Sequence, residues 1–282
     1  GVSAIVVHPH NPSIIYIGTG DRDASDSYGI GVMKSTDGGL TWNTTGMSYG
    51  VENNRRVNRM LIHPTNPDTI LAATSHGFFI SYNGGQNWTN RRSGNYMDVE
   101  FKPGDPNTIY LAAKSKVYRS TNFGMNWTDL SSAAFGTFFP GRIALTVTPA
   151  NPNVVYLLTC NSGFQNNGFY ALFKSSDGGT TWNMQSNSPN ILGWSPSGSD
   201  TDGQGWYDLD LAVSPLDENL LYSGGVNIWK STNGGVNWSI SAHWSGWGAP
   251  YVHADHHVME FQPGTNIIFS GNDGGVNYSQ NG

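Results

Sequence analysis

Apolar and polar positions alternate along this chain in short bursts, and the bursts recur. Val32-Met33-Lys34-Ser35, Phe78-Phe79-Ile80-Ser81, Val117-Tyr118-Arg119-Ser120, Leu172-Phe173-Lys174-Ser175 and Ile228-Trp229-Lys230-Ser231 each read as the end of a β-strand. A common punctuation, Ser-x-Asp/Asn-Gly-Gly-x-x-Trp, follows from each serine; Ser35 to Trp42 is the cleanest copy, and the copy at Ser120 has Phe123 in place of the first glycine. Asp-Gly or Asn-Gly supplies positions that tolerate positive φ, as a tight hairpin requires. The Asp or Asn oxygen can accept N–H groups within its own turn. The tryptophan opens the returning strand and lays a large apolar ring on the hairpin. A sixth copy opens at Ser279-Gln280-Asn281-Gly282.

A second pattern precedes each hairpin: apolar strand, proline, polar turn, apolar strand. Ile5-Val6-Val7-His8-Pro9-His10-Asn11-Pro12-Ser13-Ile14-Ile15-Tyr16 is its first copy, and others centre on Pro64, Pro103, Pro149, Pro215 and Pro263. Proline fixes the turn and cannot donate within a paired strand. Each unit therefore reads as four antiparallel strands over about 47 residues, the size of one propeller blade. The expected fold is an all-β propeller of four-stranded antiparallel blades. At least six blades fall in one domain over residues 1–282, near 2–45, 46–92, 93–132, 133–189, 190–241 and 242–282. The last of these stops in mid-hairpin, so the residues are expected to form part of a longer protein.

Composition narrows the function classes. Charged residues make up 12%, the net charge is −6, and no Lys/Arg cluster appears, which argues against nucleic acid and anionic membrane surfaces as partners. No apolar run approaches the length of a membrane span. Cys160 stands alone, excluding an intrachain disulfide framework, and reads as a small buried hydrophobe. Few charges with many Gly, Asn, Ser and Thr suggest a protein placed outside the cell.

The hairpins resemble the Asp-box, or BNR, repeat. With the His-Pro-x-Asn-Pro turns they resemble propellers of the sortilin/Vps10 type and of xyloglucanase-type glycoside hydrolases. The pattern also resembles the propellers of large secreted proteins of gliding bacteria, which implies type 9 export, an extracellular or cell-surface location and a C-terminal sorting region. Asp-box propellers serve as hydrolases, receptors, assembly factors and lectin-like proteins, so the likeness speaks to fold before activity.

The candidate chemistry gathers at one end of the innermost strands. Two and four residues before each turn proline the chain is apolar throughout. Seven and eight residues before it stand Arg56, Asn95, Tyr96, Arg142, Tyr207, Asp208, Asp255 and His256. In a propeller that end forms one mouth of the central channel. The long stretches Asn190 to Trp206 and Ala242 to Tyr251, and the acidic loop from Asp21 to Tyr28, are expected on the same side. Of ten tryptophans, Trp194, Trp206, Trp244 and Trp247 lie outside hairpins and strands, joined by Tyr207 and Tyr251. Flat apolar rings stack on sugar faces; the same rings could instead plug the loops together as a satellite core. With Asp210 and Arg142 they form the expected ligand-binding set.

Two further readings concern polar clusters. In His253-Ala254-Asp255-His256-His257, an extended backbone would put His253, Asp255 and His257 on one side, a set that suits a divalent metal such as Zn²⁺. A hydrogen-bonded polar plug would use the same residues, and no other cofactor is indicated. A glycosidase needs two carboxyl groups across the scissile bond, one of them protonated. Asp21, Asp208 and Asp273 are the catalytic candidates. Asn272-Asp273-Gly274-Gly275-Val276-Asn277-Tyr278 resembles the Thr-Asp-x-Gly-Gly-Ala-Tyr segment of xyloglucanase-type enzymes, which implies a catalytic role for Asp273; it departs at Asn272 and carries Asn277 as an insertion. No sialidase arginine motif, phosphate loop or serine elbow is evident. The expectation is an extracellular or cell-surface propeller that binds polysaccharide or a protein partner. A glycoside hydrolase acting on a β-glucan is the first alternative and a structural or secretion-cargo display module the second.

Overall fold

Alternation with glycine and proline punctuation produces sheets that are simple meanders. The computed structural model describes residues 1–163 and 166–280, so Asn281-Gly282 of the sixth hairpin copy lies outside the described residues. Two compact units are present, one comprising Gly1–Phe101, Asp105–Ala113 and Tyr118–Thr128, the other Lys102–Gly104, Lys114–Val117 and Asp129–Gly282. In the first unit, β1 (Val2–Val7), β2 (Ile15–Thr19), β3 (Gly31–Ser35) and β4 (Asn43–Ser48) pair in sequence order, as do β5 (Val57–Ile62), β6 (Ile70–Thr74), β7 (Gly77–Ser81) and β8 (Thr89–Arg92). A third sheet, drawn mostly from that unit, holds β9 (Tyr96–Lys102), β10 (Asp105–Ala113), β11 (Val117–Ser120) and β12 (Thr128–Asp129).

The second unit opens with one helical turn, α1 (Ser131–Phe135), before its own sheets. Its fourth sheet is β13 (Arg142–Val147), β14 (Val155–Cys160), β15 (Phe169–Ser175) and β16 (Asn183–Ser186). The fifth is β17 (Asp210–Val213), β18 (Leu221–Gly224), β19 (Ile228–Ser231) and β20 (Ser239–Ala242). The sixth has three strands among the described residues, β21 (His256–Phe261), β22 (Ile268–Asn272) and β23 (Gly275–Ser279).

Period-two alternation gives the inner sheets two buried faces, and neighbouring sheets within each unit share a core. Tyr16, Val32, Val57, Met60 and Ile70 form one cluster in the first unit. Leu71, Phe78, Val99 and Ile109 form the next. In the second unit Leu158, Leu172, Leu211, Leu221 and Trp229 pack together, and Ala212, Tyr222, Met259 and Ile268 make the following layer. Removing a buried leucine such as Leu211 leaves a cavity at an interface between sheets, at a cost of about 2–5 kcal/mol.

The hairpins are held by one hydroxyl and one carboxylate or amide. Ser35 Oγ donates to Asp37 Oδ1 at 2.8 Å and accepts from Gly39 N at 2.8 Å, while Thr41 N donates to Asp37 Oδ1 at 2.9 Å. The asparagine copies reproduce the last bond: Asn87 N to Asn83, Asn126 N to Asn122 and Asn237 N to Asn233, at 2.9, 2.8 and 2.9 Å. The oxygen, not the charge, is thus what the turn requires. Trp42, Trp88, Trp127 and Trp182 each donate Nε1 to the second glycine's carbonyl. Trp238 donates instead to Ser186 Oγ, which donates in turn to Gly235 O, so the fifth hairpin is tied to β16. Phe123 adopts φ 54°, taking the left-handed conformation that glycine holds in the other copies.

Two predictions follow from this geometry. Ser175 is fully buried and serves the same bonds as Ser35, so Ser175→Ala is expected to cost about 1–3 kcal/mol in urea unfolding. Asp37→Asn is expected to leave the neutral-pH midpoint unchanged, because asparagine already does this work three times over. The Thr41 hydroxyl, then the Thr41 N–H and Ser35, hold the Asp37 carboxyl down to about 2; Asp177 is held at about 2 by Thr181 in the same way. Both values lie below the ordinary 3.8, so their contribution is complete above pH ~4 and is lost as the pH falls through about 2. Acid titration of unfolding in Asp37→Asn should lose the Asp37 part of that window.

Candidate functional site

The second unit carries every candidate except Asp21. Between β16 and β17 a long segment runs from Asn187 to Leu209, and it is pinned at both ends. Ile191 and Leu192 enter the core fully buried. Asn190 accepts from Phe169 N and donates to the carbonyls of Asp200 and Asp202, while Asp200 accepts from Ser195 N. Gly205 lies flush against the core: a Cβ there would stand 2.5 Å from that of Cys160, so both residues are read as packing. This places Trp206 and Tyr207 on a rigid turn whose N–H groups return to Gln204 O.

Arg142, at the start of β13, fixes that turn. It is 4% exposed, and its Nη1 donates to the carbonyls of Trp206 and Tyr207 at 3.2 and 2.6 Å. It was expected to touch ligand; its burial makes it a residue that positions the two rings. Asp210 has a structural bond as well: its Oδ2 accepts the backbone N–H of Met259 and joins β17 to β21.

Asp208 is 0% exposed, and among the described residues no basic or amide side chain donates to its buried oxygens. What faces it is the carboxyl of Asp255. Two carboxyls hydrogen-bond only when one is protonated. Burial first, then the charge and hydrogen bond of Asp255, push Asp208 up to about 9, against a smaller opposing pull from Arg142. Asp208 is therefore a neutral acid at pH 7. It is also closed to solvent and in contact with its neighbour, so it does not face a substrate across an open groove.

Asp255 breaks the expected alternation of its own segment. Its φ is 64°, in the left-handed region, and β21 begins only at the next residue. His253, Asp255 and His257 consequently go separate ways. His253 meets the carbonyl of Ala254, Asp255 accepts from Gln204 Nε2, and His257 Nε2 meets Asp273 Oδ1 at 3.0 Å. Among the described residues no three His, Cys, Asp or Glu side chains gather as metal ligands, and this expected set does not converge. His256 is buried, with Nδ1 2.6 Å from Ser270 Oγ, and burial holds its imidazole down to about 4.

Asp273 is the carboxylate that remains accessible. It receives the Tyr207 hydroxyl at 3.3 Å and His257 at 3.0 Å, and the Tyr207 and His257 rings meet edge-on at 4.8 Å. Trp206 lies 5.4 Å from Tyr207. Asp21, in the first unit, is occupied by its own loop: its carboxylate accepts the N–H groups of Asp23, Ala24 and Asp26. That is a turn-capping arrangement and not the catalytic one expected.

A second aromatic group is organised by two residues the sequence did not single out. Asn227, fully buried before β19, donates to the carbonyls of Gly193 and Trp194 and accepts from Trp244 N. His243, also buried, meets Trp194 O through Nε2 at 2.9 Å, and its backbone bridges to Tyr251. The two thus join the loop before the fifth sheet to the loop before the sixth. Asn227 sits in Gly224-Gly225-Val226-Asn227, which reads as an ordinary turn; its partners lie more than 15 residues away, and only the structure shows them.

The rings these residues hold face solvent. Trp194, Trp206, Trp244, Trp247 and Tyr251 are 38%, 47%, 45%, 71% and 68% exposed. A satellite core would have covered them. Exposed aromatics on an internally buttressed scaffold are the usual makings of a binding surface.

No family model matches the sequence. A xyloglucanase of Hypocrea jecorina (strain QM6a) is 34% identical over 105 residues, which span 35% of this chain and 12% of that enzyme. Among solved structures, an ancestral GH74 enzyme superposes with a TM-score of 0.65 at 19% identity, covering 99% of this chain and 38% of its own. YCF48 bound to D1 peptide gives 0.60 at 14% identity over 99% and 78%, and Sqt1 from Chaetomium thermophilum gives 0.55 at 17% over 99% and 68%. The fold is an all-β propeller with six blades. At these identities the likeness speaks for fold alone, and the chain spans only a fraction of the xyloglucanase and GH74 enzyme it matches.

Proposed function

We propose that this chain is a carbohydrate-binding propeller of the Asp-box kind, acting outside the cell or at its surface, and that the aromatic face of its second unit takes a β-glucan chain. The observation that carries the reading is the exposure of Trp194, Trp206, Trp244, Trp247 and Tyr251 on loops pinned by Arg142, Asn227 and His243. Rings held rigid before the ligand arrives lose little entropy on stacking, so each contributes more to affinity. The Asp273, His257 and Tyr207 group adds acceptors and donors for sugar hydroxyls beside the rings. The partial match to a xyloglucanase supports the choice of glucan.

Affinity electrophoresis in soluble xyloglucan tests this directly. Retardation of the native chain is expected, with Trp247→Ala weakening it about tenfold or more while leaving the melting temperature in place, since that ring is mostly exposed. Unretarded migration of the native chain would remove the reading. Hydrolysis is a second reading, supported by Asp273 and the xyloglucanase match. If turnover is found, Asp273→Asn should abolish it while retaining retardation.

A further inference from the structure

Internal repetition lets one lysine be compared with another. Lys34 on β3 and Lys174 on β15 each stand immediately before a hairpin serine, and each ammonium lies over a tyrosine, Tyr16 at 5.1 Å and Tyr156 at 5.4 Å. The turn that approaches each lysine comes from the next sheet, and the two turns are built alike. Thr69 N donates to Asn66 O as Leu220 N donates to Asp217 O, and Gly84 N donates to Asp68 O as Gly234 N donates to Asn219 O. Pro67 and Glu218 therefore occupy the same position.

The two lysines fare differently for that reason. Lys174 Nζ donates to Glu218 Oε1 at 3.2 Å, and Asn151 Nδ2 holds the other oxygen of that carboxylate. Proline offers Lys34 no such partner. The half-buried Lys34 donates to the carbonyl of Gly84 at 3.4 Å, longer than an ordinary N–H···O bond, and an ammonium has three donors to satisfy. Asp68, in the same turn, is exposed and forms no ion pair with Lys34 among the described residues.

Lys34 lines a cavity of about 400 Å³ within the first unit, together with Thr36, Asn43, Thr44 and Gln86. The volume suits a small molecule rather than a single ion. Hydroxyl and amide side chains beside one cation supply what sugar hydroxyls and a carboxylate need together. We propose that this cavity binds a hexuronate, an acidic sugar whose carboxylate takes beside Lys34 the place that Glu218 takes beside Lys174. The site lies in the first unit and is independent of what the aromatic face of the second unit binds.

NMR titration of the isotope-labelled chain with sodium galacturonate tests this, with galactose and sodium sulfate as controls. Galacturonate should shift the amides of Lys34, Thr36 and residues 43–46 and 84–86; galactose and sulfate at the same concentration should not. Lys34→Gln should weaken binding about tenfold or more, since a bond between two charged groups is lost. Pro67→Glu supplies the carboxylate from within the chain and should weaken binding as much, with the lysine still in place. Trigalacturonate binding more tightly than the monomer would assign the site to a unit of a polysaccharide, and the reverse order to the free sugar. No shift with galacturonate, equal shifts with galactose or sulfate, or unweakened binding in both variants would overturn the proposal.

Discussion

Replacing Asp208 by asparagine is expected to remove most of the fall in stability that the native chain shows as the pH rises from about 7 to about 9. The folded chain holds a proton on Asp208 up to about 9, whereas the unfolded chain releases it near the ordinary 3.8. At this group the unfolded state binds fewer protons, so its contribution to stability falls as the pH rises, whereas His76 and His256, held at about 4 by burial, act in the opposite sense until the pH passes the ordinary 6.5. Below ~4 Asp208 is protonated in both states and above about 9 it is ionised in both, so its slope vanishes at either end. Asparagine keeps the shape and can donate its amide to Asp255, yet has no proton to lose. Unfolding free energies from urea titration at pH 7 and pH 9 should differ by about 2–3 kcal/mol in the native chain and by much less in Asp208→Asn. An equal slope in both would show that the two carboxyls are not in contact.

Arg142→Met is the second large effect. It removes the donor to the carbonyls of Trp206 and Tyr207 and withdraws the cation beside Asp208. A loss of about 2–3 kcal/mol is expected, because two hydrogen bonds from a charged donor go together. Glucan affinity should fall as well, since the Trp206-Tyr207 turn loses its anchor. Arg142→Lys separates the two roles. It restores the charge but not the rigid planar group that aims Nη1 at both carbonyls, so it should recover part of the stability and little of the affinity. Calorimetry beside affinity electrophoresis reads both quantities.

The fold was legible because its grammar is local. Ser35, Asp37, Gly39 and Trp42 sit within one turn of backbone, and every copy repeats contacts between residues two to four apart. The aromatic loops were legible as well, since tryptophans outside the hairpins had no place in the repeat. The polar residues around them were not. Asp210 and Arg142 looked like ligand contacts by position, yet each bonds backbone far along the chain, Asp210 on β21 and Arg142 on the turn before β17. Alternation failed at Asp255 because one left-handed residue turns the chain, and no glycine marks the place. Asn227 and His243 went unnoticed for the opposite reason: each resembles a routine turn residue, and its importance lies in contacts across 33 to 49 positions.

The central claim is that the exposed rings of the second unit form one glucan-binding face on a scaffold fixed in advance. Amide hydrogen exchange with and without soluble xyloglucan tests it most directly. Added protection is expected to be confined to residues 193–207 and 243–251, with the hairpin turns at Ser35, Ser81 and Ser175 unchanged. Protection spread evenly over the blades, or absent from both loops under conditions where the polysaccharide binds, would contradict it.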